Sequence, residues 1–407
     1  MRQLVLLLCI AAAAAYSPLQ YMGDQLLALT PSTQEQVDIL EQWRELGLLG
    51  KETDFLDFWS GPSAPGRSVQ VRVTRKQLQG VKAALAQHRI QYRVSNPDLG
   101  RLFIQENDMN RAAFDDHSKY HRYAEFHAIA SALISKCGSQ CSKEVIGKSI
   151  ENRDIIAYKL GSNSANPMIF MDGGIHAREW ISPATLLYIM DQVISDPQYR
   201  SLLDSWNLVF VPLANPDGYE YTHTSNRMWR KNRRPGRACY GVDLNRNFGF
   251  KFGGTGSSGS QCSDVYRGVA AFSEPETQAI RNFVLRNKSA IKAFWSVHSY
   301  GQYWLHPFGY AFGVNPNNVA ELLSAAQTGA RALQSVNGRR YTVGHSADLL
   351  YPAAGGSDDW AISIGIRYAY TLELPDTGRY GFVLPPAQIV SVGRETLAGL
   401  AAFLRAV

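Results

Sequence analysis

The sequence predicts an α/β protein: a large domain built on a mixed, largely parallel sheet covered on both faces, preceded by a small β/α unit. Three observations predict it. Short apolar runs at Ile155 to Leu160, Met168 to Met171, Leu208 to Leu213, Phe294 to Val297 and Tyr368 to Leu374 alternate with stretches of helical pattern, as buried strands and their crossover helices do. Before about Ile129 the scale is smaller. Ser68 to Val73 alternates with period two, Leu78, Val81 and Leu85 recur at helical spacing, and Ile90, Tyr92 and Val94 alternate again. Finally, 407 residues that are 45% hydrophobic and 19% charged can fill a sizeable interior, which excludes disordered and collagen-like chains.

Taken in order, residues 1–15 carry Arg2, an apolar run from Leu4 and a close on Ala13-Ala14-Ala15, the pattern of a cleaved signal peptide. That segment is too short to span a bilayer, and no other run reaches the ~20 apolar residues a membrane helix needs. The expectation is a soluble, secreted protein. The net charge of +6 comes from 41 basic and 35 acidic residues scattered without a single-sign block, so no nucleic-acid partner is expected. Without Cys9, four cysteines remain: Cys137, Cys141, Cys239 and Cys262. In an oxidising compartment an even number implies two disulfides. Three connectivities are open, and the pairs Cys137 with Cys141 and Cys239 with Cys262 ask least of the fold. A four-cysteine zinc site is the competing reading, against which no Cys-x-x-Cys pair is present. Asn287-Lys288-Ser289 is a glycosylation acceptor pattern.

Within the small unit, the Gly61 to Gly66 cluster, rich in Pro and Ser, reads as a turn. The polar run Gln105 to Lys119, holding Asn110-Arg111-Ala112, reads as an exposed connection of the kind a protease cuts. The organisation expected is 1–15 signal peptide, 16–111 leading domain and 112–407 main domain.

The strongest local signal is Asp172-Gly-Gly-Ile-His-Ala-Arg-Glu-Trp180, between an apolar run and a helix-like stretch from Pro183 to Val193. His176 and Glu179 are three residues apart, so a turn or helix start points both at one spot. An imidazole and a carboxylate are two-thirds of a catalytic zinc set, and His298, at the end of the Phe294 to Val297 run, is placed to be the third. Three ligands leave a position for water, whose pKa zinc lowers toward ~7. Among nine histidines, His-x-x-Glu also arises by chance as an exposed helix-start pair. The company these residues keep decides between the readings.

The sequence resembles the secreted zinc carboxypeptidases of the pancreatic A/B family. His176-Ala-Arg-Glu179, Asn215-Pro-Asp-Gly218, Arg227-Met-Trp-Arg230, Asp243-Leu-Asn-Arg-Asn247, His298-Ser-Tyr300, Tyr351-Pro-Ala-Ala-Gly-Gly-Ser-Asp-Asp359 and Leu372-Glu373-Leu374 stand in the family's order, from about Tyr120 to the C-terminus. The region before them resembles the family's activation propeptide. The resemblance implies an eight-stranded, mostly parallel mixed sheet flanked by helices, behind a small α+β open sandwich of ferredoxin-like form.

It also implies roles. His176, Glu179 and His298 match the zinc ligands, one Zn2+ per chain, and Asp243 matches a carboxylate that orients the first histidine. Two histidines and a glutamate are the zinc set of carboxypeptidase A, so this assignment is carried by the resemblance joined to the spacing. Glu373 matches the general base and Arg230 the cation that stabilises the oxyanion, whereas Arg227 is read as peripheral. Asn245, Arg246 and Tyr351 match the anchors of a free C-terminal carboxylate; Arg178 and Tyr300 match substrate contacts. Asp358 falls at the specificity position, where a buried carboxylate pairs with Lys or Arg, as in B-type enzymes. Ser346 and Gly309 take other pocket-wall positions, and both are small enough to leave room for a long side chain.

The expectation is a monomeric zymogen, opened by a trypsin-like protease after Arg111, that removes C-terminal Lys or Arg from peptides and proteins. Three alternatives are weighed: A-type specificity for aromatic or aliphatic residues, a silent carboxypeptidase-like binding protein, and a purely structural zinc. The second is opposed by the complete set of ligands, base and oxyanion cation. The third is opposed by the lack of a fourth protein ligand in the motifs.

Overall fold

The computed structural model describes residues 16–46, 56–113 and 115–407; residues 1–15, expected to be a signal peptide and holding Cys9, lie outside them. The leading domain runs β1 (Gln25–Thr30), α1 (Gln34–Leu46), β2 (Asp57–Phe58), β3 (Val69–Val73), α2 (Leu78–Gln87), β4 (Gln91–Asn96) and α3 (Leu99–Ala112). Its sheet has the order β2-β3-β1-β4, with every neighbouring pair antiparallel. Strand β3 shows the logic: Val69, Val71 and Val73 are buried with Leu27 and Leu29 against Leu40 and Trp43 of α1 and Val81 and Leu85 of α2. Gln70 and Arg72 take the opposite face, as period two requires. Tyr92 and Val94 of β4 stay exposed, because only β1 flanks this edge strand.

One expectation is corrected here. Gln105 to Ala112 is helical, the end of α3, and Glu106 in it is buried rather than part of an exposed connection. Asp98 caps this helix by accepting from the Gly100 N–H, and of the polar side chains beyond the cap Gln105, Asp108 and Arg111 face outward while Glu106 faces inward.

The larger domain contains α4 (Tyr123–Cys137), β5 (Cys141–Lys148), β6 (Asp154–Leu160), β7 (Met168–Gly173), α5 (Ile181–Ser195), α6 (Pro197–Arg200), β8 (Asn207–Val211), α7 (Pro216–Thr224), α8 (Pro275–Arg286), β9 (Ile291–Ser299), β10 (Tyr303–His306), α9 (Val319–Asn337), β11 (Thr342–His345), α10 (Ser346–Leu349), α11 (Ser357–Ser363), β12 (Tyr368–Leu374) and α12 (Ile389–Ala406). The eight strands lie in the order β11-β10-β12-β9-β7-β8-β6-β5. The centre β12-β9-β7-β8 and the pair β10-β11 are parallel, while β10-β12, β6-β8 and β5-β6 are antiparallel.

Alternate residues of the central strands feed two separate cores. Met171 of β7, Trp295 and Val297 of β9 and Tyr370 and Leu372 of β12 pack with α5, α9 and α12 on one face. Phe170, Val209, Val211, Phe294 and Ala369 pack with Ile280 and Phe283 of α8 and Trp360 of α11 on the other. Both faces are therefore buried, which explains why these strands read as continuous apolar runs. Both sequence-local disulfides form, Cys137–Cys141 and Cys239–Cys262. The second spans the long loop segment between α7 and α8, and from this segment come Arg230, Asp243, Asn245 and Arg246.

Candidate active site and metal centre

The C-terminal ends of the parallel strands converge, which is where an open α/β sheet places its ligands. Strand β7 runs into the turn that carries His176 and Glu179 before α5, β9 carries His298 next to its last residue, and β12 places Glu373 directly beside His298 in parallel register. His176 Nδ1 lies 2.8 Å from Glu179 Oε1, and His298 Nδ1 lies 3.1 Å from both Glu179 Oε2 and His176 Nδ1. Their ligand atoms all fall within 4.8 Å of one another and all three residues are buried, a group that could hold a metal ion.

The donor chemistry fits zinc. Two imidazole nitrogens and a carboxylate face one point, and each imidazole is hydrogen-bonded at its far nitrogen: His176 Nε2 to Asp243 Oδ1 at 3.1 Å, His298 Nε2 to Ser296 Oγ at 3.0 Å. The charges agree. Burial works against the ionised form of Glu179, yet His176 and His298 hold its carboxyl well below the usual range. Burial likewise disfavours a charged His298, but the Glu179 carboxylate overrides it and pushes the imidazole up to about 9. Such a concentration of negative charge behind two imidazoles is one a divalent cation would satisfy.

Arg230 donates from Nε and Nη2 to Asp243 Oδ2, at 3.2 and 2.9 Å, and its Nη1 is 4.0 Å from Glu179 Oε1. Asp243 is thus shared between an imidazole and a guanidinium. Burial opposes its ionisation, but Arg230 and His176 keep it well below the usual carboxylate range. Glu373 is different: burial pushes it up to about 8, with His298 pulling it down and Glu179 pushing it further up.

Around these residues lie the expected substrate contacts. Asn245, Arg246, Tyr351, Asp358, Ser346, Gly309 and Tyr300 share one cavity with His176, Glu179, Arg230, His298 and Glu373. Arg246 donates from Nε to Gly256 O and from Nη1 to Asn245 O, while its buried Nη2 has no hydrogen-bond partner among the described residues. Two glycines make this placement possible. Gly256 (φ +76°) and Gly355 (φ +80°) occupy left-handed conformations, and a Cβ on Gly355 would collide with the Arg246 carbonyl. Asp358 also lines the cavity: its Oδ1 accepts from the Asp359 N–H, and its buried Oδ2 has no hydrogen-bond partner among the described residues. Asp359 is spent on the backbone, accepting from the N–H groups of Gly309 and Tyr310.

The leading domain contributes to the lining of this cavity, whose volume is about 90 Å³. Trp59 and Ser60 form part of its wall, and Trp59 packs on Phe382 and Tyr300. Arg178 donates to Asp57 and to Phe58 O, Tyr300 donates to Gln70 Oε1 at 2.6 Å, and Arg44 lies over the Tyr351 ring. Three expected substrate contacts are therefore occupied by one domain. Arg227 is not among the residues that line this cavity. It is fully buried, donates twice to Glu106 of α3 at 2.7 and 2.8 Å, and stacks 3.6 Å over Trp180. Asp57, Trp59, Gln70, Glu106, Asp172 and Ser296 were not foreseen as partners of the site. Only the last two carried a signal: Asp172 opens the Gly-Gly-Ile-His motif, and Ser296 shares a strand face with His298.

Comparison with known proteins agrees with this geometry. Residues 126–399 match the zinc carboxypeptidase family and residues 27–106 the carboxypeptidase activation peptide. Carboxypeptidase A2 of Rattus norvegicus is 38% identical over 98% of this chain and 97% of its own length; carboxypeptidase B of Homo sapiens is 37% identical over 98% and 96%. The crystal structure of thrombin activatable fibrinolysis inhibitor superimposes with a TM-score of 0.85 at 33% identity, covering 95% of this chain and 98% of that one. The fold and the site define a metallocarboxypeptidase. The chain belongs to the zinc carboxypeptidase family and carries that family's activation peptide, so it is a zymogen of a zinc-dependent peptide hydrolase.

Proposed function

We propose that the protein is a secreted zymogen whose activated form removes Lys or Arg from the C-terminus of peptides and proteins, with zinc held by His176, Glu179 and His298. The observation that carries the specificity is Asp358: a buried carboxylate whose Oδ2 has no hydrogen-bond partner among the described residues, lining a cavity together with Ser346 and Gly309. Burial pushes its carboxyl up, as a charge without a counterion would be, and a substrate ammonium or guanidinium supplies that counterion. An aromatic or aliphatic side chain leaves the oxygen unpaired.

The substrate's terminal carboxylate is anchored by the unpartnered Nη2 of Arg246, with Asn245 and Tyr351 at its sides. Zinc supplies Lewis acidity and lowers the pKa of water toward ~7. Glu373 takes a proton from the attacking water and delivers it to the leaving amine as the C–N bond breaks. Arg230, whose Nε and Nη2 are fixed by Asp243, turns Nη1 toward the developing oxyanion. Activation follows cleavage after Arg111 by a trypsin-like protease; the Arg111 side chain at the end of α3 is 76% exposed. The protein acts as a monomer, and the pattern of residues 1–15 supports export.

The test compares release of C-terminal Arg and Phe from otherwise identical peptides by trypsin-treated protein, with and without a zinc chelator. Chelator-sensitive release of Arg well above Phe is expected. Preferential Phe release overturns the Asp358 reading in favour of A-type specificity, which the resemblance to carboxypeptidase A2 would then reflect.

A further inference from the structure

We propose that Ser296 and Asp172 form a hydrogen-bond chain that fixes the tautomer and orientation of His298, making them positioning residues of the metal centre. The proposal rests on reading His298 as a zinc ligand through Nδ1 and is independent of the Lys/Arg preference.

Valence sets the direction of the chain. His298 Nδ1 faces Glu179 and His176, so it is the nitrogen turned to the metal position. A neutral imidazole offering its lone pair there carries its proton on Nε2. That N–H points at Ser296 Oγ, 3.0 Å away. The hydroxyl accepts it and has one proton of its own, which it donates to Asp172 Oδ1 at 2.8 Å. The neighbouring Asn245 does not compete. Its Oδ1 accepts from the Ser357 N–H, which turns Nδ2, a donor, toward His298 Nε2 at 3.5 Å.

The backbone builds this chain. Ser296 and His298 are two apart on β9 and share a face, and Asp172 of β7 is the register partner of Ser296. All three are at most 1% exposed, so solvent does not substitute for a missing link. His176 is backed by a carboxylate directly through Asp243, and His298 is backed by one through a hydroxyl. A purely structural role accounts poorly for Asp172, whose second oxygen is buried with no hydrogen-bond partner among the described residues. Such a carboxylate is costly in an apolar setting, and a divalent cation on the far side of His298 offsets that cost.

The test measures zinc affinity of the full chain by chelator competition and the visible spectrum of its Co(II)-substituted form, for Ser296→Ala, Asp172→Asn and His298→Ala. Loss of a residue behind a ligating histidine weakens metal binding by about 10–100-fold, the loss expected for Ser296→Ala and Asp172→Asn, together with an altered cobalt spectrum. His298→Ala is expected to lose zinc more completely. If His298→Ala binds zinc as tightly as the parent, the ligand reading fails and the chain with it. If His298→Ala loses zinc while Ser296→Ala and Asp172→Asn keep parental affinity and spectrum, the chain alone is overturned. A merely structural role predicts a lower melting temperature of the metal-free protein with the cobalt spectrum unchanged, which also overturns it. Should Ser296→Ala fail to fold, the near-isosteric Asp172→Asn decides.

Discussion

Asp57 of the leading domain lies 2.6 Å from Nη1 of Arg178, and the neighbouring Phe58 carbonyl accepts from Nη2 at 3.1 Å. One side chain and one backbone group thus hold a cation that the motifs assign to substrate. The pair is largely withdrawn from water, with side-chain exposures of 16% and 1%. Removing one partner of a buried pair costs about 3–5 kcal/mol, because the other is left uncompensated. Asp57→Asn is expected to raise hydrolysis of a small peptide by the uncleaved chain. Activity no higher than the parent's would show that Trp59 and the Tyr300–Gln70 contact seal the cavity without it.

The same contact sets a pH response. Burial opposes ionisation of Asp57, but Arg178 and Arg72 outweigh it and hold its carboxyl below the ordinary value. A carboxyl depressed on docking stabilises the docked state above its free pKa of about 3.9 and loses that contribution as pH falls through the depressed value. Closure by this pair should therefore be constant from pH 5 to 8, on the order of that plateau, and weaken below about 4. Following tryptophan fluorescence of the zymogen during acid titration, with Trp59→Phe to isolate the Trp59 signal among the eight tryptophans, checks this, and in Asp57→Asn the acid-dependent step should shrink.

Glu106 and Arg227 make a second, deeper link between the domains. With both side chains at most 1% exposed, Glu106→Ala leaves the guanidinium buried without its carboxylate, a loss of about 3–5 kcal/mol. Calorimetry of the zymogen should show a lowered melting temperature, whereas the activated domain, from which α3 has been cleaved away, should be unaffected by the same change.

Glu373→Gln removes the proton carrier while keeping size, so kcat should fall by about 100- to 10,000-fold with zinc content unchanged. Atomic absorption alongside kinetics separates the two quantities, and zinc loss in this variant would point to a ligand role instead.

Asp358→Ser removes this carboxylate from the cavity lining. Release of C-terminal Arg should fall by at least about tenfold relative to Phe, since a methylene-scale change alone is worth only ~10- to 200-fold in such pockets. Competition between the two peptides in one reaction measures the ratio directly.

How far the sequence carried this picture depends on where each residue's partner lies. The central strands were legible because burial on both faces leaves Ile169 to Met171 wholly apolar and Phe294 to Val297 apolar except for Ser296. Strand β5 was not, since its antiparallel edge position leaves an irregular, mostly solvated pattern, and β10 and β11 span only four residues each. The ligand set was legible from local spacing joined to family motifs. Glu106 was misread because its polar neighbours suggested solvent, while its partner Arg227 is 121 residues away. Trp59, Gln70 and Asp57 were silent for the same reason: nothing near them in the chain shows that the domain folds back over the cavity.

Asp243 gives one oxygen to His176 and the other to Arg230. The group that orients a proposed metal ligand is therefore the same group that orients the proposed oxyanion support. Damage to either should be felt by both, so substitutions at His176, Asp243 and Arg230 should combine far less than additively, and their separate costs should not sum to the activity of the intact centre. Any lineage or engineering effort that retunes the electrophilic half of this site must carry the other half along with it.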